Sequence, residues 1–205
     1  MSLYLIRHGE TALNVARIFQ PADTPLNERG IAQAEALAQR LATMDISAIV
    51  SSDLPRARRT AEAIAAATGL PIEFSALLQE RNFGDWRGQP HDGIAFDPMT
   101  IAQAPPNGES IPQFEERVAR AFEHVVQRRA ALQGGNLAVV SHGLVLRVML
   151  AAHAQRADGA AVPTHMGNTS LSIVGALPPH AVTLMNSTAH LEPATRDDPN
   201  ALAGG

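Results

Sequence analysis

The stretch Leu3-Tyr4-Leu5-Ile6-Arg7-His8-Gly9-Glu10-Thr11 constrains the fold more than any other part of the chain. A short apolar run ends abruptly in a cation, an imidazole, a glycine and a carboxylate. That pattern reads as a buried strand delivering Arg7 and His8 to a sheet edge, where the chain turns into a helix. Open α/β sheets bind their ligands beyond the carboxyl ends of the strands, so chemistry is expected there. A second His-Gly pair, Ser141-His142-Gly143, follows another apolar run, Leu137-Ala138-Val139-Val140. Packing alone does not account for two such pairs.

The remaining segments alternate helix and strand around those turns. Residues 11–17 read as a short helix carrying Asn14, and 21–27 as a loop. Asn27 can cap a helix with Ala34, Leu37, Ala38 and Leu41 on one face. Residues 46–50 are a second buried strand ending in Ser51-Ser52-Asp53. A helix from Leu54 then runs to about Gly69, with Pro55 acceptable in its first turn. A short third strand spans 71–74, and 77–88 is a loop bearing Glu80, Arg81, Asp85, Trp86 and Arg87. The Pro-rich stretch 90–107 reads as a surface excursion that could cover a site. Ser110 and Gln113 form a capping box for a helix with Phe114, Val118, Phe122 and Val125 on one stripe. An almost wholly apolar helix, 144–152, follows His142. Residues 169–174 and 181–185 alternate with a period of two across Pro178-Pro179, which predicts a terminal antiparallel pair. Together these elements make one α/β domain over residues 1–192 with a mainly parallel sheet. The tail 193–205, poor in apolar residues, is expected to be disordered.

Composition removes whole classes of function. The 205 residues, 45% of them apolar, suffice for one sizeable core, and a formal charge of −4 gives no support for nucleic-acid or anionic-membrane binding. No apolar stretch is long enough to span a bilayer, and the N-terminus lacks the parts of a secretory signal, so a cytoplasmic enzyme is expected. With no Cys, a thiolate mechanism is excluded. All 16 basic residues are Arg, which also excludes the lysine of a P-loop and every Schiff base.

What remains is a set of cations and imidazoles. Arg7, His8, Arg56 and His142 come from strand ends or an early helix turn, and Glu80 from a loop. If they converge, two guanidinium groups and two imidazoles make an anion pocket whose natural guest is a dianionic phosphoryl group. The helix beginning just after His142-Gly143 would add its positive end. No metal cage is evident and no cofactor is expected, which leaves His8 as the nucleophile candidate. An imidazole nitrogen can attack phosphorus in line to give a phosphohistidine. Arg7, Arg56 and His142 would then stabilise charge on the equatorial oxygens. Glu80 is the best-placed acid for the leaving alkoxide and could later activate water, its pKa raised by Phe83 and Trp86. Gly9 lets the backbone turn tightly beside the phosphate. His91-Asp92 invites a metal-dependent phosphohydrolase reading, but further ligands at helical spacing are not found. His124, His153, His165, His180 and His190 have no expected catalytic role, and Arg58 and Arg59 read as helix-surface cations.

Arg7-His8-Gly9-Glu10-Thr11, Asn14, the run from Asp23 to Gly30, Ser51-Ser52-Asp53-Leu54-Pro55-Arg56-Ala57, the run from Glu80 to Gly88, Pro106-Asn107-Gly108-Glu109-Ser110 and Ser141-His142-Gly143 together resemble the histidine phosphatase superfamily. The match runs in order over nearly the whole chain. It implies the phosphoglycerate-mutase-like fold, a three-layer αβα sandwich. It further implies that His8 is the phosphorylated residue, that Arg7, Arg56 and His142, with Gly143, complete the phosphate pocket, that Glu80 donates the proton and that Asn14 is a secondary phosphate contact. Phe19-Gln20-Pro21-Ala22 departs from the Gly-Trp-like pair that relatives usually carry, and this bears on the substrate rather than on catalysis. The expected activity is a metal-independent phosphomonoesterase acting on a small phosphorylated metabolite. The alternative is a cofactor-dependent phosphoglycerate mutase, which returns the phosphoryl group to its substrate. Mutases of the family tend to carry a longer segment after the Glu-Arg loop, and the short excursion between Gly88 and Ser110 favours the phosphatase. A non-catalytic phosphate-binding module is disfavoured by the presence of both His8 and Glu80.

Overall fold

A computed structural model describes residues 1–91 and 104–197. The elements in chain order are β1 (Ser2–Arg7), α1 (Ala12–Val15), α2 (Glu28–Ala42), β2 (Ile46–Ser51), α3 (Pro55–Thr68), β3 (Ile72–Phe74), α4 (Ile111–Ala130), β4 (Asn136–Ser141), α5 (Gly143–Ala152), β5 (Leu171–Gly175) and β6 (Val182–Ser187). The strands form one sheet in the order β3-β2-β4-β1-β5-β6. Strands β3, β2, β4 and β1 run parallel, β5 is antiparallel to β1, and β6 is antiparallel to β5. The expected mainly parallel sheet is observed, and its antiparallel pair sits on one edge.

Helices cover both faces of the sheet, giving the three layers. In β1, Leu3 and Leu5 join a core with Phe114, Val118 and Val125 of α4 and Leu146 and Met149 of α5. Tyr4 and Ile6 point the other way, to Leu37 and Leu41 of α2 and Ala57, Ala61 and Ile64 of α3. Strand β4 splits in the same way, with Leu137 and Val139 on one side and Ala138 and Val140 on the other. A strand buried on both faces needs apolar residues at every position, which is why these runs show no alternation in the sequence.

Helix α2 illustrates which effect sets an element. Asn27 accepts from Gly30 N at 2.7 Å, as a capping residue should, and such a cap contributes about 1 kcal/mol. Leu37 and Leu41 are both fully buried, and each contributes about 1.5–3 kcal/mol. The buried face therefore decides that α2 packs here, and the cap decides where it starts.

The tail does not begin where composition places it. Gln33 Nε2 donates to Thr195 O at 3.0 Å and to Asp197 Oδ1 at 2.9 Å, and Asn168 N donates to Asp197 Oδ2 at 2.7 Å. Residues 193–197, expected to be disordered, are held by polar partners on distant elements, which an apolar-content argument overlooks. Residues 198–205 lie outside the described residues, as do 92–103 of the expected excursion and with them Asp92 of the His91-Asp92 pair. Among the described residues, no helix is long and apolar enough to cross a membrane.

Candidate active site

Strands β1 and β4 pair in parallel with Arg7 opposite Ser141, so His8 and His142 leave adjacent strands at the same level. Their ring centroids are 5.0 Å apart, tilted by 60°, and both rings are buried. His8 Nδ1 lies 2.7 Å from Gly9 O. A carbonyl can only accept, so Nδ1 carries the proton and Nε2 keeps the lone pair. Burial, then Arg56 and Arg7, hold the His8 pKa well below its ordinary value, so this imidazole is neutral at pH 7.

The turn after His8 depends on a close backbone crossing. A Cβ on Gly9 would lie 2.4 Å from Gly30 O, and one on Gly30 would lie 2.0 Å from Glu10 O. Only two glycines allow the turn to rest on the first turn of α2. Asn27 Nδ2 donates to Glu10 Oε1 at 2.8 Å, and Glu10 N donates to Gln33 Oε1 at 2.8 Å. These bonds pin the turn from its far side.

Around the two rings the structure gathers Arg7, Arg56 and Glu80. Arg7 is fully buried and its Nη1 donates to Met166 O. Arg56 lies in the first turn of α3, where Pro55 starts the helix, and its Nη1 donates to Pro21 O at 3.4 Å and Ala22 O at 3.5 Å. Burial lowers the Arg56 pKa to about 10, with Glu80 opposing and Arg87 and Arg7 adding to the fall. Glu80 is buried, and its two oxygens accept from Arg81 N at 3.0 Å and Leu144 N at 3.1 Å. Burial pushes its pKa up, against the two backbone donors and the charges of Arg56 and Arg7. Gly143 is the first residue of α5, and the donor that this helix end commits is the next amide, to Glu80. One amide of that positive helix end, Leu144 N, serves the carboxylate.

Three of the residues expected to contact phosphate carry buried polar atoms with no protein partner among the described residues: Nε of Arg56, Nδ1 of His142 and Nδ2 of Asn14. His142 caps α5, its Nε2 lies 2.9 Å from Ser52 Oγ, and burial followed by Arg56, His8 and Arg7 lowers its pKa well below the ordinary value. Asn14 shares a capping box with Thr11 at the start of α1, which occupies its Oδ1. An unsatisfied buried polar group costs about 1–3 kcal/mol. Donors left open in this way suit an anionic guest that accepts from them.

The departure at residues 19–22 has a structural explanation. Phe19 is fully buried, with its ring 4.6 Å from that of Phe83 and stacked on His91 at 3.7 Å, so it belongs to the core rather than lining substrate. The carbonyls of Pro21 and Ala22 carry Arg56. Arg58 and Arg59 are exposed, as expected of surface cations.

Sequence reasoning missed the residues that hold this site together. Arg117 on α4 donates to Leu77 O, Gln79 O and Glu80 O at 2.9, 2.7 and 3.2 Å, and it pairs with Glu109 at 2.7 Å. It staples the Glu80 loop to the helix. The one available signal was a cation at position 117 beside Phe114 and Val118 on an otherwise apolar stripe. Ser52 stands in the run from Ser51 to Ala57 without an expected role, and Gln33 leaves no comparable trace. Among the described residues, no group of three or more His, Asp or Glu side chains is placed to hold a metal ion.

Comparison with known proteins gives the family and the fold. The family model "Histidine phosphatase superfamily (branch 1)" matches residues 3–185. A relative from Yersinia pestis named "Probable phosphoglycerate mutase GpmB" is 36% identical over 172 residues, 76% of this chain and 79% of the relative. The solved structure of Bacillus stearothermophilus YhfR is 33% identical, with a TM-score of 0.76, covering 93% of this chain and 99% of that one. A mycobacterial glucosyl-3-phosphoglycerate phosphatase is 28% identical with a TM-score of 0.73, covering 91% of this chain and 98% of that one. The chain belongs to the histidine phosphatase superfamily.

Proposed function

We propose that this protein is a metal-independent phosphomonoesterase acting on a small phosphorylated metabolite through a phosphohistidine on His8. The observation that carries this reading is the state of the His8 ring. Gly9 O holds the proton on Nδ1, and burial with two nearby guanidiniums keeps Nε2 unprotonated. An imidazole in that state is a nucleophile at neutral pH.

Nε2 attacks phosphorus in line while the ester oxygen leaves on the opposite side. Arg7, Arg56 and His142 hold the equatorial oxygens, where positive charge in a buried pocket stabilises the transition state most. Asn14 adds a donor through Nδ2. Glu80, its pKa raised by burial, gives its proton to the leaving alkoxide. The resulting carboxylate takes a proton from water as the oxygen of that water attacks the phosphohistidine. Phosphate leaves, and His8 and Glu80 return to their starting states.

One observation favours a second reading. The relative at 36% identity carries a mutase name, and a mutase would use the same first half-reaction and return the phosphoryl group to the bound product. Phosphorus NMR separates the two. The protein is incubated in EDTA with a panel of sugar and nucleoside phosphates, and with 3-phosphoglycerate plus a trace of bisphosphorylated primer. Release of inorganic phosphate supports the esterase. Primer-dependent exchange of 2- and 3-phosphoglycerate with little free phosphate would replace it with the mutase.

A further inference from the structure

Asp197 lies in a stretch whose composition argues for disorder, yet its side chain is only 16% exposed. Both of its oxygens are committed. Oδ1 accepts from Gln33 Nε2 at 2.9 Å, and Oδ2 accepts from Asn168 N at 2.7 Å, with His165 Nε2 a further 3.7 Å contact. The two donors reach the His8 turn with their other ends. Gln33 Oε1 accepts from Glu10 N at 2.8 Å, and Asn168 Nδ2 donates to His8 O at 3.1 Å. One carboxylate therefore bridges to the backbone on both sides of Gly9. Arg7 directly precedes this turn, and of the carboxylates that favour its charged form Asp197 acts most strongly, ahead of Glu80 and Glu10.

We propose that Asp197 is a positioning residue of the phosphate pocket, holding the His8–Glu10 backbone through Gln33 and Asn168 and fixing the Arg7 guanidinium where a phosphoryl group needs it. This rests on the reading of Arg7 and His8 as the phosphoryl-binding pair. A carboxylate is the group this place requires. Gln33 Nε2 and Asn168 N are both donors, and only an ionised carboxyl offers an acceptor to each without adding a donor. An amide would satisfy one and oppose the other. The chain near residue 197 thus acts on chemistry at residues 7 and 8 without touching substrate.

The test compares the full-length protein with Asp197→Ala and Asp197→Asn. Three quantities are read: the inhibition constant of orthovanadate, kcat and KM with p-nitrophenyl phosphate, and the thermal midpoint. Small errors in the placement of a binding group are expensive in the transition state, so Asp197→Ala should weaken vanadate and lower kcat/KM by about tenfold, with Asp197→Asn in between. Loss of packing alone would reduce the active fraction and leave the vanadate constant of the surviving enzyme unchanged. A folded Asp197→Ala with the wild-type vanadate constant overturns the proposal. If Asp197→Ala does not fold, Asp197→Asn decides on the same criterion. A wild-type protein that neither turns over phosphomonoesters nor binds vanadate would remove the phosphohistidine reading and this role with it. Normal wild-type inhibition that both variants reproduce removes only the role of Asp197.

Discussion

The two His-Gly turns start from the same dipeptide, at the same level of adjacent strands, and are held in different ways. After β1, His8 Nδ1 faces a carbonyl, which leaves one tautomer, and Gly9 is pressed against Gly30. After β4, His142 caps a ten-residue helix and its Nε2 meets the hydroxyl of Ser52, which can donate or accept. A carbonyl sets the proton on the ring, whereas a hydroxyl lets the ring follow the charge of its guest. The first environment suits a nucleophile and the second an anion contact. The dipeptide brings an imidazole to the sheet edge, and the neighbour across space decides what the imidazole can do.

The sharpest way to break this comparison is to remove each ring in turn. His8→Ala should lower kcat by about 10⁴-fold or more and abolish acid-labile phosphoenzyme, because no other side chain replaces the attacking nitrogen. His142→Ala should lower kcat by about 10²–10³-fold while still forming phosphoenzyme in a single-turnover experiment. Equal losses, or phosphoenzyme surviving in His8→Ala, would show that the roles have been assigned to the wrong rings.

Glu80→Gln sharpens the same division of labour. It should lose about 10²–10³-fold on an alkyl phosphate and much less on p-nitrophenyl phosphate, whose leaving group needs no proton. A loss independent of the leaving group would remove the acid role.

The glycine contact predicts a smaller effect, on stability. In Gly9→Ala the new methyl meets backbone at Gly30, so the chain has to shift, at about 1–3 kcal/mol. That corresponds to a fall of roughly 2–4 °C in Tm per kcal/mol for a domain of this size. An unchanged Tm would mean that the turn has slack.

The property that both rings share gives the mildest test. His8 and His142 are held well below their ordinary pKa, and burial, with Arg40, lowers His190 to about 4. The unfolded chain takes up protons on all three at about pH 6.5, and the folded chain does not. Stability should therefore be full above about pH 6.5 and fall as pH drops toward 4, by about 1.4 kcal/mol per pH unit for each histidine not offset. His153, lowered by burial and by His180, adds to the fall, and Glu80, raised by burial, works in the opposite direction but is one group against four. Urea midpoints measured from pH 7.5 to 4.5 should decline, and a rise on acidification would contradict the burial of these rings as neutral groups.

Much of the sheet could be read from local pattern. The unbroken apolar runs at Leu3–Ile6 and Leu137–Val140 announced strands covered on both faces, and the stripe of Phe114, Val118, Phe122 and Val125 announced α4. Arg7, His8, Arg56 and His142 stand out as cations and imidazoles delivered to strand ends and an early helix turn, and Glu80 as the best-placed acid on the loop that follows. The roles of Phe19 and Asp197 are not legible in the chain, because the environment of each comes from distant residues, Phe83 and His91 in one case and Gln33 and Asn168 in the other.

The amino-acid sequence by itself determined the alternation of strands and helices, the exclusion of thiol and lysine chemistry, and the residue types brought to the sheet edge, because periodicity and composition are properties of the chain taken a few residues at a time. Tertiary structure alone decided which nitrogen of His8 keeps its lone pair, how Gly9 and Gly30 cross, what holds the Glu80 loop, and that the chain near Asp197 returns to Gln33 of α2 and to Asn168. Each of these is a contact between groups that only the strand order β3-β2-β4-β1-β5-β6 and the helices folded over it bring together. Hydrogen bonds and close packing act over a few ångströms of space, whatever the number of residues between the partners.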